Sequence, residues 1–276
     1  SRSYLQADGN VKKISSHISK KVAEKLEQMY KNDKDEFIKK WDDLSIFIKY
    51  GMISDEKFYD RMSKVCQLKN TESNYFTFEE YKAKIEALQT DKNKKLVYLY
   101  ANNIDEQYSY IKAAKDKGYD VLLMDGILDN HFIQTLEHKF TDVKFARIDS
   151  DTIEKLIEKD EVIPSKLSEE ETNKLKTLVE AIVDKTKFTV QTESLEQTAY
   201  PFSITQNEFM RRMKEMAEMG GGGMASFYGD MPEHYNLVVN VNHPIMSQIL
   251  EEKDVDKQTQ TLSQLKDLAL LGQGLL

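Results

Sequence analysis

KLVYLYANNIDEQYSYIKAAKDKGYDVLLMDG (95–126), continued by ILDNHFIQTLEHKFTDVKFARID (127–149), is the stretch that decides the fold. KLVYLY (95–100) reads as a buried strand. DEQYSYIKAAKDKG (105–118) reads as a helix closed by Gly118. YDVLLM (119–124) is a second strand, LDNHFIQTLEHKF (128–140) a helix and VKFARID (143–149) a third strand. Strand, helix, strand, helix, strand at this spacing predicts a parallel sheet with helices packed on it. The predicted class is therefore α/β and α+β. A helical segment (1–90) precedes a small parallel-sheet βαβαβ three-layer unit (91–150), and a smaller α+β domain (168–276) follows a charged linker (151–167).

Working upstream, Val11, Ile14, Ile18, Val22, Leu26 and Met29 recur at steps of three and four, one face of a helix over 8–32. A second helix carries Phe37, Trp41, Leu44 and Ile48 on one side, and a shorter one starts near Ser54. Trp41, at helical spacing, reads as core. Thr77 and Glu80 form a capping box, with Phe76 and Tyr81 at the staple positions around it. Downstream, DTIEKLIEKDEVIPSK (151–166) is charged, and all four prolines lie from Pro164 onward, which places a domain boundary near 160–167. Ser168 and Glu171 make a second capping box, opening a helix through Asp184. KFTVQT (187–192) and YNLVVNVN (235–242) read as strands, and 205–219, 245–253 and 256–271 as helices.

The 276 residues suffice for two domains, and the net charge of -8 argues against a nucleic-acid surface. Lys12-Lys13 and Lys20-Lys21 read as a solvated helix face. The single cysteine, Cys66, permits no disulfide framework and reads as a small core residue in a reducing compartment. No apolar run is long enough to span a membrane, and no signal peptide opens the chain. The chain starts on SRSYLQ without methionine and closes on LKDLALLGQGLL, so both ends read as cut from something longer.

An enzyme built on such a sheet would bind its ligand at the carboxyl ends of the strands, at Asn102, Asn103, Asp125, Gly126 and Asp149. None of these is followed by a glycine-rich phosphate loop. Asp125 or Asp129 reads more simply as a cap of the next helix, because short polar residues are expected there anyway. His131 and His138 lack a third ligand nearby, so no metal site is expected. A small-molecule enzyme using Asn102, Asp125 and Asp149 predicts a deep pocket with shifted carboxylates.

EFMRRMKEMAEMGGGGM (208–224) asks for a different account. On a helical wheel Phe209, Met210, Met213, Met216, Ala217 and Met219 cover about half the circumference. Arg211, Lys214, Glu215 and Glu218 lie opposite, with Arg212 near the edge. One reading packs this face into the core. The other leaves it open, because flexible thioethers beside the glycines 220–223 suit a surface that fits many apolar partners. The terminal helix carries Leu262, Leu265, Leu268 and Leu271, to dock on its own domain or on a second copy.

SRSYLQ (1–6), YLYANN (98–103), VLLMDGILDNHFIQTLE (121–137) and FMRRMKEMAE (209–218), in this order, together resemble the heat shock protein 90 family in its bacterial form. The resemblance runs along the whole chain. It implies an ATP-driven, cytoplasmic, homodimeric protein-folding chaperone. Residues 1–162 would be the later part of its middle domain, and 168–276 its C-terminal dimerisation domain without the last helix. Arg2 would contact the γ-phosphate of ATP and Gln6 would support that loop. ATP and Mg²⁺ would be held outside this stretch, which alone would bind no cofactor and have no ATPase activity. Phe209, Met210, Met213, Met216 and Met219 would bind unfolded or partly folded clients, facing the cleft between protomers. Leu262, Leu265, Leu268 and Leu271 would serve a dimer interface weakened by the absent helix, with no nucleic acid or membrane as partner. The remaining alternative is a purely structural dimerisation module with its methionine face buried.

Overall fold

The computed structural model describes residues 9–218 and 233–275. The first elements are α1 (Gly9–Asn32), α2 (Lys34–Lys39), α3 (Trp41–Ser54), α4 (Glu56–Met62), β1 (Leu68–Lys69), β2 (Tyr75–Phe76) and α5 (Phe78–Gln89). Then come β3 (Leu96–Ala101), α6 (Tyr108–Asp116), β4 (Val121–Leu123), α7 (Asp129–Lys139), β5 (Val143–Arg147) and α8 (Ile153–Leu156). The last are α9 (Glu169–Glu180), β6 (Phe188–Glu193), β7 (Phe202–Thr205), α10 (Glu208–Glu218), β8 (Tyr235–Asn240), α11 (Pro244–Glu251) and α12 (Val255–Gly272). Packing divides the chain into two units, residues 1–87 with 122–143, and 88–121 with 144–276.

The first unit is mainly helical. On α1 only the later turns dock: Ala23 and Leu26 are buried, while Val11, Ile14, Ile18 and Val22 are exposed. The expected second helix is two. Asp33 caps α2 by accepting from the Glu36 N–H at 2.9 Å, and the Lys40 N–H turns back to the Phe37 carbonyl at 3.2 Å. Phe37, Trp41 and Ile48 still share one buried side, with the Phe37 and Trp41 rings 5.9 Å apart. The β1–β2 hairpin has no counterpart in the sequence reading. It pairs Leu68 with Phe76 and Lys69 with Tyr75, and the Asn70 side chain accepts the Glu72 and Asn74 N–H groups in its turn. The first capping box forms as expected: Thr77 N–H to Glu80 at 2.8 Å, Glu80 N–H to Thr77 Oγ1 at 3.3 Å. The staple rings Phe76 and Tyr81 lie 5.7 Å apart. Cys66 is fully buried, and burial pushes its thiol up to about 12, which fits a core residue and not a nucleophile.

The three strands of 95–149 form one parallel sheet in the order β4-β3-β5. Every residue of β3 is buried. In the second unit Val97, Leu99 and Ala101 pack with Ile111 and Ala114 of α6 and with Ile148. Gly118 takes the left-handed conformation (φ 77°) that closes α6, as its place after the last turn predicts. Within the charged linker, α8 sets Leu156 and Ile157 into this same core. The second capping box is present, but α9 stops at Glu180, where the Ala181 N–H bonds the Thr177 carbonyl at 3.2 Å and the Ile182 N–H tightens onto the Val179 carbonyl at 3.1 Å.

A second three-stranded sheet runs β6-β8-β7, with β8 parallel to β6 and antiparallel to β7. β7 (FSIT) was not foreseen: four residues ahead of a helix offer little alternation to read. Its core joins Leu175, Val190, Ile204, Leu237, Val239, Met246 and Leu262. Two buried asparagines tie the preceding loops to it. Asn240 donates to the Glu196 carbonyl at 2.8 Å, and Asn242 to those of Pro164 and Leu195 at 3.0 Å. Among the described residues no helix is long and apolar enough to cross a membrane.

Candidate functional site

Helix α10 begins where Asn207 Oδ1 accepts the Met210 N–H at 3.2 Å. A surface helix ordinarily turns its apolar stripe inward and its charges to water. Over its described side chains, 208–214, α10 departs from that rule. Arg211, opposite the methionines, is 4 % exposed, whereas Phe209 is 60 % and Met210 38 % exposed. Met213 is half-buried.

Charge holds the docked side. Glu208 Oε1 accepts from the Tyr100 hydroxyl (2.9 Å), from Arg211 Nη2 (2.9 Å) and from Arg212 Nε (2.6 Å). Arg211 Nη2 also donates to the Tyr100 oxygen at 2.7 Å, and Arg212 Nη2 to the Phe145 carbonyl at 3.2 Å. Tyr100 is buried in β3. One turn on, Lys214 reaches Glu233 at 2.9 Å, and the other Glu233 oxygen takes the Tyr235 hydroxyl at 2.6 Å. Burial pushes the Glu208 carboxyl up, but the Arg211 and Arg212 guanidiniums and their bonds outweigh it and hold it below its ordinary value. Burial pushes the Tyr100 hydroxyl up, so it stays a neutral donor.

A helix docked in this way can offer an apolar strip of Phe209 and Met210, flanked by Met213, to a partner. The Met216 side chain, Met219 and the glycines 220–223 lie outside the described residues, as do Arg2 and Gln6. On α12 the leucines divide. Leu262 and Leu265 are buried in their own core, whereas Leu268 and Leu271 are 65 % and 63 % exposed.

The strand ends are occupied by structural bonds. The Asn102 and Asn103 N–H groups both donate to Gln107 Oε1, at 2.9 and 3.0 Å. Asp149 is gripped by Arg147 in a two-bond fork (2.6 and 3.0 Å), and Arg147 also reaches Gln206 at 3.2 Å. Asp125 is exposed. Asp129 does not cap α7 in the usual way; it accepts the Gly126 N–H at 3.0 Å and pairs, buried, with Lys49 at 2.5 Å. A cleft of ≈ 450 Å³ lies elsewhere, lined among others by Tyr110, Ile153, Leu195, Ile204 and Leu268. His138 Nδ1 sits 2.7 Å from the Gln134 carbonyl, and among the described residues no three His, Cys, Asp or Glu side chains are placed to hold a metal ion.

Tyr100 and Glu208 escaped the sequence reading. Half of the signal was there: in EFMRR, Glu208 precedes Arg211 and Arg212 by three and four residues, the spacing of helical ion pairs. The other half, Tyr100, stands 108 residues away.

The sequence matches the family described as Hsp90 protein over residues 1–273. It is similar to the chaperone protein HtpG of Bacteroides thetaiotaomicron, 48 % identical over 258 residues, covering 92 % of this chain and 37 % of that protein. It is 49 % identical over 253 residues to the chaperone protein HtpG of Porphyromonas gingivalis, covering 91 % and 37 %. A more distant relative is the chaperone protein HtpG of Clostridium acetobutylicum, 25 % identical over 292 residues. The chain thus spans about 37 % of the length of the Bacteroides and Porphyromonas relatives it matches.

Proposed function

The chain belongs to the Hsp90 family, and from that premise we propose that it is the client-holding part of an ATP-driven, homodimeric, cytoplasmic chaperone. The observation that carries this reading is the reversed docking of α10, which leaves Phe209 and Met210 in water although an apolar core lies in the same unit. Thioether and aromatic side chains adapt to partners of varied shape, as a surface for unfolded or partly folded proteins must. Met213, Met216 and Met219 would extend that strip. Residues 1–162 would serve as the later part of the middle domain and 168–276 as the dimerisation domain. Leu268 and Leu271, exposed on α12, would face the second copy.

ATP, with Mg²⁺, would supply the free energy for the cycle from outside this stretch, and Arg2, supported by Gln6, is the residue by which this stretch would meet its γ-phosphate. A guanidinium fits that task because it is planar and always charged. Binding of a fluorescently labelled unfolded protein, followed by anisotropy, tests the client surface. The comparison is a variant with serine at Met210, Met213, Met216 and Met219. Weakened binding by a variant of unchanged circular dichroism supports the reading, and unchanged binding refutes it. Should the variant unfold, the same comparison is made with Phe209→Ser/Met210→Ser, both exposed.

A further inference from the structure

An apolar strip exposed beside an apolar core is under a steady pull to turn inward, because burying it releases free energy in proportion to its area. On α10 something opposes that pull, and the candidates are few. The helix is fixed through three strands: Tyr100 on β3, the Phe145 carbonyl on β5, and Glu233 with Tyr235 at the start of β8. Three donors converge on a single oxygen, Glu208 Oε1. Two of the participants, Tyr100 and Arg211, are almost wholly out of water. Groups in that position cannot exchange their partners for solvent, so each bond in the cluster depends on the others being made.

We propose that Tyr100, Glu208, Arg211 and Arg212 are positioning residues that set the rotation of α10 about its own axis, and so keep Phe209 and Met210 turned outward. The inference rests on the reading of that strip as the client surface. Rolling the helix would carry the buried Arg211 away from Tyr100 and tear Arg212 from the Phe145 carbonyl. The opposing charges are Glu208, facing Arg211 and Arg212 on the same helix, and Glu233, facing Lys214 from the chain before β8. Weakening the first cluster removes the restraint nearest the exposed residues and lets the apolar strip turn toward the core.

Oxidation of the methionines by dilute peroxide, read by mass spectrometry, measures this directly. Met210 is scored against half-buried Met29, which lies in the other unit and serves as internal reference. The variants are Glu208→Gln, which keeps shape and removes charge, and Tyr100→Phe, which removes one oxygen. Each is checked by circular dichroism. In both, the Met210-to-Met29 ratio is expected to fall several-fold and the affinity for the labelled unfolded protein to fall about tenfold. Glu208→Asp restores part of both. An unchanged or faster Met210 oxidation in both variants overturns the proposal, whatever happens to binding. If the ratio falls while binding is unaffected, the rotation is set as argued and the client reading is what fails. Should Glu208→Gln lose helicity, Tyr100→Phe decides by the same two readouts.

Discussion

Glu208 is a small carboxylate with three partners, and its chemistry can be read with pH. Burial alone would raise its pKa; Arg211 and Arg212 bring it below the ordinary 4.5 instead. A depressed carboxylate adds stability that is fully present above its unfolded value and is lost as pH falls through the folded one. The melting temperature of the chain is therefore expected to drop more steeply below about pH 4.5 than that of Glu208→Gln, and the two curves are expected to run parallel above it. Identical acid limbs would mean that the carboxylate is not held by the arginines. Only half of this is legible in the sequence: the spacing of Glu208 to Arg211 and Arg212 is, the bond to Tyr100 is not. A helical wheel puts Arg211 across from the apolar arc centred near Met213, but which side meets protein is set by Tyr100, distant in sequence. Asp129 shows the same limit. It was read as a possible cap because short polar side chains collect at helix starts. In the fold it is buried against Lys49, a partner 80 residues away.

At the scale of elements, legibility follows the range of the interactions. Both capping boxes were readable because each closes within four residues. Gly118 was readable because only a left-handed residue ends a helix so abruptly. The βαβαβ order was readable because β3 is apolar throughout, as a strand covered on both faces must be. The β1–β2 hairpin and β7 were not, because two or four residues give no period, and their pairing partners decide them. The break between α2 and α3 also escaped, because the apolar spacing of Phe37, Trp41 and Ile48 continues across it. The local devices have measurable weight. In α9, Ser168 accepts the Glu171 N–H while Glu171 accepts the Ser168 N–H at 2.8 Å. Ser168→Ala removes one half of this box and is expected to lower stability by about 1 kcal/mol in denaturant titration. Glu171→Gln, which keeps the reciprocal geometry, is expected to lose less. Equal losses would show that charge at the helix start outweighs the cap.

For the whole molecule the informative element is α12, where one apolar stripe serves two ends. Leu262 and Leu265 are in the core of their own unit. Leu268 and Leu271, about one and two turns beyond Leu265, stand in water on the same helix. The sequence showed four leucines at helical spacing and left open which surface they dock on. The fold splits them: the first two are packed in the core, the last two are exposed. Substitution then separates folding from assembly. Leu262→Ala empties a packed site and is expected to cost about 2–5 kcal/mol of stability. Leu268→Ser/Leu271→Ser changes two exposed side chains and is expected to leave the melting temperature of the dissociated chain within about a degree or two, since exposed substitutions change stability little. Sedimentation equilibrium across a concentration series should show that same double variant associating more weakly than the parent chain. If the proposed second copy docks on Leu268 and Leu271, an isologous contact counts each of them twice. If the parent self-associates and the double variant does so equally well, the second copy docks on another surface, and the outer end of α12 is free for other partners.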